Sequence, residues 1–202
     1  MRKLRTLRRL GFAAVLATSA ACGTNDASEQ PDPARVEAAA SEARRAADQL
    51  GAQLMTALGD ALGKSGPVGA IEVCQLRAPA IAEQLSRSGE LEIGRTALRL
   101  RNPDNAPDEW EKQALQQFAS ELASGAAPAT LEVRKVEATS DGWRVRWMRP
   151  IVLQPMCAIC HGGELEPDLR AELAKRYPQD QATGFQPGEL RGAFTASVTV
   201  AP

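Results

Sequence analysis

Residues 130–162 read "TLEVRKVEATSDGWRVRWMRPIVLQPMCAICHG", and they decide how this 202-residue chain is interpreted. Two stretches of alternating apolar and charged residues flank "TSDG", which predicts a β-hairpin. In the second strand Trp143, Val145 and Trp147 share one face, and arginines occupy the other. The hairpin leads into "CAICHG", which contains His161, the only histidine of the chain. The sequence therefore predicts a β-hairpin that is followed directly by a Cys-x-x-Cys-His motif.

Helices are predicted before the hairpin. Residues 34–64 lack proline and repeat apolar residues at intervals of three and four, which predicts a long amphipathic helix. A second helix is predicted after "SGP" at 65–67, and Pro79 is expected to kink it. A strand is predicted over 90–101, a helix from about Pro107, and a short helix and a strand after the motif. Helices followed by a small antiparallel sheet indicate an α+β fold.

The N-terminus has the pattern of an export signal. The first 21 residues contain five basic and no acidic residues, and their apolar run is too short to span a membrane. Small residues precede Cys22, so we predict a lipoprotein-type signal over 1–21 with lipid attached at Cys22. The alternative is ordinary cleavage nearby, which leaves a soluble periplasmic protein. Residues 22–33 are predicted to be a flexible tether, and 34–202 a single domain.

Composition and location restrict the partners. Removal of the signal takes away five of the 24 basic residues and none of the 25 acidic residues, which leaves a formal charge of −6 and argues against nucleic acid. Export places the domain in the periplasm or on the outer side of a bacterial membrane, where free thiols are oxidised unless something occupies them. The chain has only eight aromatic residues. Its core must therefore be mainly aliphatic, or be built around a group that is not protein.

The Cys-x-x-Cys-His motif is the attachment signature of c-type haem. Cys157 and Cys160 are spaced to reach the two vinyl groups on one edge of a porphyrin, and His161 is then held under the iron. One covalently bound haem c is predicted. Two alternatives stay open, a Cys157–Cys160 redox disulfide and a zinc site made of Cys74, Cys157, Cys160 and His161.

The side of the haem opposite His161 needs a second ligand or stays open. Cys74 lies on the apolar face of a predicted helix, and neither the motif nor the signal accounts for it. Buried cysteines are often inert thiols, so Cys74 is either such a thiol or the second ligand. Met55 and Met148 are alternative ligands, and either would raise the potential.

Four stretches together resemble one family. They are "EVCQLRAPAIA", "GRTALRLRNPDNAPDEWE", "RPI" with "CAICHG", and "YPQDQATGFQPGELRGAF". Over residues 66–199 the chain resembles the single-haem c-type domains with a PAS-like fold known as domain of unknown function 3365. The resemblance implies a small PAS-like antiparallel sheet and a haem held by His161 on one side and Cys74 on the other. Because a thiolate stabilises ferric iron, it also implies a low potential.

Cationic and amide groups are expected to hold the haem propionates. Arg99, Arg101 and Asn102 are the candidates, because they lie in the most distinctive stretch of the resemblance. Arg99 and Arg101 are predicted to share one face of the strand over 90–101. Arg95 lies in the same stretch, and the arginines of the second hairpin strand are rivals.

Three functions are compatible with this set of residues. The first is an exported electron carrier that serves a redox partner protein. The second is a redox or gas sensor that works through a partner, in which NO or CO displaces Cys74. The third is a zinc-binding structural domain. A peroxidase-like enzyme is disfavoured, because it needs a distal acid or base and the chain has no second histidine.

Overall fold

The structure, a computed structural model, describes residues 31–87 and 90–202. The predicted export signal, the lipid-attachment residue Cys22 and most of the predicted tether lie outside the described residues. None of the described helices combines the length and the apolar character that a membrane crossing requires.

The first helix, α1 (Pro33–Glu72), begins where the Asp32 side chain accepts a hydrogen bond from the Ala34 amide, with proline in the first turn. Its alanine-rich stripe is buried against the sheet of its own domain. The helix is interrupted at Gly66, whose φ of 65° is readily adopted only by glycine, and it restarts at Pro67. The break predicted at "SGP" is therefore confirmed.

A π-helical turn (Val73–Arg77) follows α1 and carries Cys74, and α2 (Ala78–Leu85) continues from it. The first N–H of α2 donates to the carbonyl of Val73, five residues back, as a π turn requires. Pro79 has no N–H and cannot form the α-helical bond to the carbonyl four residues before it. The kink predicted at this proline takes the form of a π turn that contains the cysteine.

Four strands form one antiparallel sheet in the order β1-β4-β3-β2. The strands are β1 (Leu91–Thr96), β2 (Val133–Thr139), β3 (Gly142–Val152) and β4 (Leu190–Val200). β2 and β3 form the predicted hairpin, in which Val133 pairs with Met148 and Thr139 pairs with Gly142. A long N-terminal helix with a four-stranded antiparallel sheet confirms the predicted α+β class.

The two faces of the sheet bury separate cores. On one face α1 and α2 cover Val145 and Trp147, which confirms the inward side predicted for the hairpin. On the other face α3 (Glu109–Ala123) packs Leu115 and Phe118 against Met148. α3 starts with a capping box, in which the Asp108 side chain and the third helical residue exchange hydrogen bonds with each other's backbone.

β1 is shorter than predicted. It ends at Thr96, whose hydroxyl donates to the carbonyl of Asn105 at 3.0 Å, so the chain turns away from the sheet. The neighbouring strand approaches closely at this point, since a Cβ on Gly192 would lie 2.5 Å from the carbonyl oxygen of Thr96. Arg99 and Arg101 therefore lie in a loop. The prediction that they share a strand face is wrong.

The chain after β3 forms short elements around the motif. A 3₁₀ turn (Pro155–Cys157) leads into the single helical turn α4 (Ala158–His161), and α5 (Pro167–Arg176) follows. Leu169 and Leu173 of α5 pack with Ile71 at the end of α1, and Cys160 lies against this cluster. This packing brings the end of the first helix next to the cysteine motif.

Candidate functional site

A cavity of about 460 Å³ is lined by the second half of α1, the π turn, the motif and the adjacent ends of β1, β3 and β4. This size is typical of ligand and cofactor sites. Cys74, Cys157, Cys160 and His161 all line it. Its walls are otherwise mainly aliphatic, with leucines from α1 and with Leu153, which follows β3. Folding thus brings the isolated cysteine to the same cavity as the motif.

Cys157 is the N-cap of the helical turn α4, and Cys160 lies within that turn. The two motif cysteines are therefore three residues apart on one side of the turn. Both are half-buried free thiols, as is Cys74. Burial raises the pKa of the Cys160 thiol. The predicted alternative of a Cys157–Cys160 disulfide is not present in this structure.

His161 is held as a neutral imidazole. Its Nδ1 lies 2.7 Å from the carbonyl oxygen of Ala182, so this nitrogen carries the proton and donates it to that carbonyl. Burial, together with the nearby Arg191 and Arg101 cations, lowers the pKa of His161 to about 3. With Nδ1 engaged, Nε2 keeps its lone pair and is available to bind a metal.

Arg101 connects the motif to the loop that holds this histidine. Its side chain is buried and donates to Asp180 Oδ2 at 3.0 Å, to the Cys160 carbonyl at 2.6 Å and to the Ala182 carbonyl at 3.2 Å. Asp180 also accepts a hydrogen bond from the Ala182 amide at 2.8 Å. Arg101 lines the cavity, but groups of the protein already occupy much of its guanidinium.

The other two residues predicted to contact propionates are placed differently. Arg99 is not among the cavity-lining residues: it donates to the carbonyls of Gln181 and Thr183, and its guanidinium lies 3.9 Å from the centre of the Phe185 ring. Asn102 lines the cavity, but its side-chain oxygen accepts a hydrogen bond from the amide of Asp104.

Two further arginines stand in the cavity wall. Arg191, which the sequence reasoning missed, lies with Nε 3.3 Å from His161 Nδ1. Burial, with repulsion from Arg101 and Arg95, lowers the pKa of Arg191 to about 10. The side chain of Arg95 forms no hydrogen bond or ion pair with any residue in 31–87 or 90–202, and burial lowers the pKa of its guanidinium. A sequence signal existed for Arg191, because it is the only charged residue in β4.

The two methionines predicted as alternative ligands lie in different surroundings. Met148 is fully buried in the core beneath α3 and does not line the cavity. Met55 lines the cavity but is 42% exposed. Within the described ranges no group of three or more His, Cys, Asp or Glu side chains is arranged to hold a metal ion. The predicted zinc alternative therefore lacks the close tetrahedral set that such a site needs.

Comparison with known proteins identifies the family. The Tll0287-like family matches residues 20–199. The chain belongs to the Tll0287-like family. Among solved structures, the crystal structure of the cyanobacterial heme-protein Tll0287 matches this Tll0287-like chain with a TM-score of 0.57 and 20% sequence identity, over 85% of this chain and 99% of that one. At this identity the likeness shows a shared fold. No curated protein matches. The family resemblance expected from the four stretches of sequence is thus confirmed.

Proposed function

We propose that this Tll0287-like protein binds one haem c, attached through Cys157 and Cys160 and ligated by His161 and Cys74, and that it carries electrons outside the cytoplasm. One observation carries the proposal: Cys74 and the complete motif line a single apolar cavity. The likeness to the heme-protein Tll0287 supports it. The PAS-like character of the sheet is part of the same proposal.

The donor groups fit a haem. Cys157 and Cys160 are free thiols, which thioether formation requires. The Nδ1 proton of His161 is held by a backbone carbonyl, so Nε2 is free to bind iron. Cys74 supplies a soft donor from the π turn. As a thiolate it would favour ferric iron and give a low-potential centre.

The charges of the cavity also fit. Its lining contains four arginines and, in the described part of the chain, no carboxylate. Two of them are neutralised, Arg101 by Asp180 at 3.0 Å and Arg149 by Asp48 at 2.7 Å. Arg95 and Arg191 remain, and two uncompensated cations match the two propionates of a haem. The propionate contacts of the proposal therefore move from Arg99, Arg101 and Asn102 to this pair.

The bound haem would supply a one-electron couple. The residues of the chain do the rest. The aliphatic walls exclude water and lower the local dielectric constant, which strengthens every charge interaction in the cavity. Ala182 holds the proton of His161. Lipid attachment at Cys22, a periplasmic or outer-face location and a redox partner protein belong to the proposal on the sequence pattern alone.

A redox or gas sensor is the second candidate, and one observation favours it. Cys74 lies in a π turn, and the neighbouring Gln75 accepts a hydrogen bond from Arg176 of α5 at 3.0 Å. A movement of Cys74 would therefore reach α5. If reduced protein binds CO and oxidised protein does not, the sensor is favoured. If reduced protein stays six-coordinate and ignores CO, electron transfer is favoured.

Haem attachment is tested by expression together with a c-type cytochrome maturation system. The denatured protein band should retain haem stain, and Cys157→Ala/Cys160→Ala should abolish the stain while the protein is still produced. A wild-type band that does not stain, from protein that contains zinc, would refute the haem proposal. Ferric and ferrous visible spectra of the purified protein then report the ligands.

A further inference from the structure

We propose that Arg101 is a positioning residue, which holds the histidine ligand by clamping the Cys-x-x-Cys-His motif to the loop at 180–182. The proposal rests on the haem site proposed above, and it gives Arg101 a role other than the propionate contact expected from the sequence. The three residues of the clamp are Arg101, Asp180 and Ala182, and they come from two loops that are about 80 residues apart in sequence.

A single nitrogen of Arg101 bridges the two segments. Nη2 donates to the Cys160 carbonyl, in the motif, at 2.6 Å and to the Ala182 carbonyl, in the loop, at 3.2 Å. The Ala182 carbonyl is also the acceptor for His161 Nδ1 at 2.7 Å. The hydrogen bond that orients the histidine therefore ends on an oxygen that Arg101 holds in place.

Asp180 fixes the same peptide segment from its other side. Its Oδ1 accepts from the Ala182 amide at 2.8 Å, and its Oδ2 accepts from Arg101 Nε at 3.0 Å. Both charged side chains of this pair are about nine-tenths buried or more, with 6% and 10% exposed. In such surroundings each hydrogen bond is strong and costly to lose. The amide and the carbonyl of Ala182 are thus both held by the ion pair.

The clamp holds the acceptor that orients the ring of His161. Arg191 Nε lies 3.3 Å from His161 Nδ1 and is a donor only. While the Ala182 carbonyl accepts the Nδ1 proton, Nε2 has its lone pair available. If that carbonyl moved away, the Nδ1–H group would lose the acceptor that fixes the plane of the ring, and Arg191, which can only donate, could not replace it. Loss of the clamp should therefore give a mixture of ring orientations and partners.

A lysine cannot replace this arginine. The clamp needs Nε on one carboxylate oxygen while Nη2 reaches two carbonyls, and a guanidinium has this planar set of donors whereas an ammonium group does not. Arg99 provides a matched control, because it binds the same loop through the carbonyls of Gln181 and Thr183 but does not touch the acceptor of His161. Its removal should loosen the loop and leave the orientation of His161 unchanged.

The test compares Arg101→Gln, Arg101→Lys, Asp180→Asn and Arg99→Gln with the wild type, all haem-loaded. Low-temperature EPR of the ferric protein reports the orientation of the axial ligands, and thermal unfolding reports general stability.

Both Arg101 variants should keep covalent haem and show a second low-spin signal above about 10% of the total, the upper end of what a minor conformer of a native protein usually reaches. Asp180→Asn should show the same second signal. Its side-chain oxygen can still accept a hydrogen bond from the Ala182 amide, so this variant tests the clamp even if an Arg101 variant fails to fold. Arg99→Gln should lower the melting temperature with one signal.

The outcomes separate the two proposals. Wild-type protein without covalent haem overturns the proposed function and this inference together. Haem-loaded Arg101→Gln or Asp180→Asn with a single wild-type EPR signal overturns the clamp alone. Arg101→Lys with the wild-type signal also overturns it, because charge and not hydrogen-bond geometry would then be sufficient. A second signal in Arg99→Gln equal to that of Arg101→Gln would show a general effect of the loop and would likewise overturn it.

Discussion

Arg191→Gln should change the stability of the haem-free and the haem-loaded protein in opposite directions. In the haem-free cavity Arg191 is a buried cation without a carboxylate partner, and burial lowers its pKa to about 10, well below the ordinary value of an arginine. At about 1.36 kcal/mol per pKa unit this corresponds to a cost of up to about 3 kcal/mol. Because the unfolded state binds more protons than the folded state only above about pH 10, the cost is fully present at pH 7 and fades as the pH rises from about 10 towards the ordinary pKa of an arginine.

In the haem-loaded protein the sign reverses. A propionate paired with Arg191 forms a charge-assisted hydrogen bond worth about 1.5–3 kcal/mol, and a glutamine replaces it with a weaker neutral bond. Removal of the charge should therefore stabilise the haem-free form by up to about 3 kcal/mol and destabilise the loaded form by about 1–2 kcal/mol.

The assay is urea unfolding at pH 7 of Arg191→Gln in two backgrounds, the haem-loaded wild type and the haem-free Cys157→Ala/Cys160→Ala protein. If the haem-free protein shows no transition, Arg191→Gln should give it one. Arg149→Gln is the control, because this arginine lines the same cavity and is already paired with Asp48. It should destabilise both forms by about 1 kcal/mol or less. Equal destabilisation of both forms by Arg191→Gln would refute the reasoning from uncompensated charge.

Three further predictions concern the ligand, the cavity wall and the anchor. Cys74→Ser should change the ferric visible spectrum and raise the potential, because a hydroxyl donates less to iron than a thiolate, while Met55→Leu should leave the spectrum unchanged; an unchanged spectrum in both would identify Cys74 as an inert thiol. Gly192→Ala should lower the free energy of unfolding by about 1–3 kcal/mol, since its Cβ would meet a backbone oxygen of β1 at 2.5 Å. Gly163→Ala, which has open space around the added Cβ, should stay within about 0.5 kcal/mol of the wild type in urea unfolding. Cys22→Ala should move the protein from the membrane fraction to the soluble fraction with the same spectrum, and a variant that is processed correctly yet stays membrane-bound would contradict lipid anchoring.

Local patterns were sufficient where the structure depends on neighbours in sequence. The hairpin around "TSDG", the helix break at Gly66 and the kink before Pro79 were all predicted, because each depends on turn residues, on glycine and proline geometry or on short-range periodicity. The alternation in β3 likewise predicted which face of the hairpin is buried. The end of β1 was not predicted, because alternation continues to residue 100 while the close approach of Gly192 and the hydrogen bond to Asn105 end the strand at Thr96.

The sequence by itself determined the motif and its spacing, since Cys157, Cys160 and His161 lie within five consecutive positions of the chain. It left Cys74 with two roles, and only tertiary structure could place that thiol in the same cavity. The surroundings of each arginine were also decided by tertiary structure. Whether a cation is free to hold an anion depends on the carboxylates that surround it, and these come from distant parts of the chain. Arg101 is paired with Asp180, which lies 79 residues further along the chain, whereas Arg191 is paired with no carboxylate in the described part of the chain.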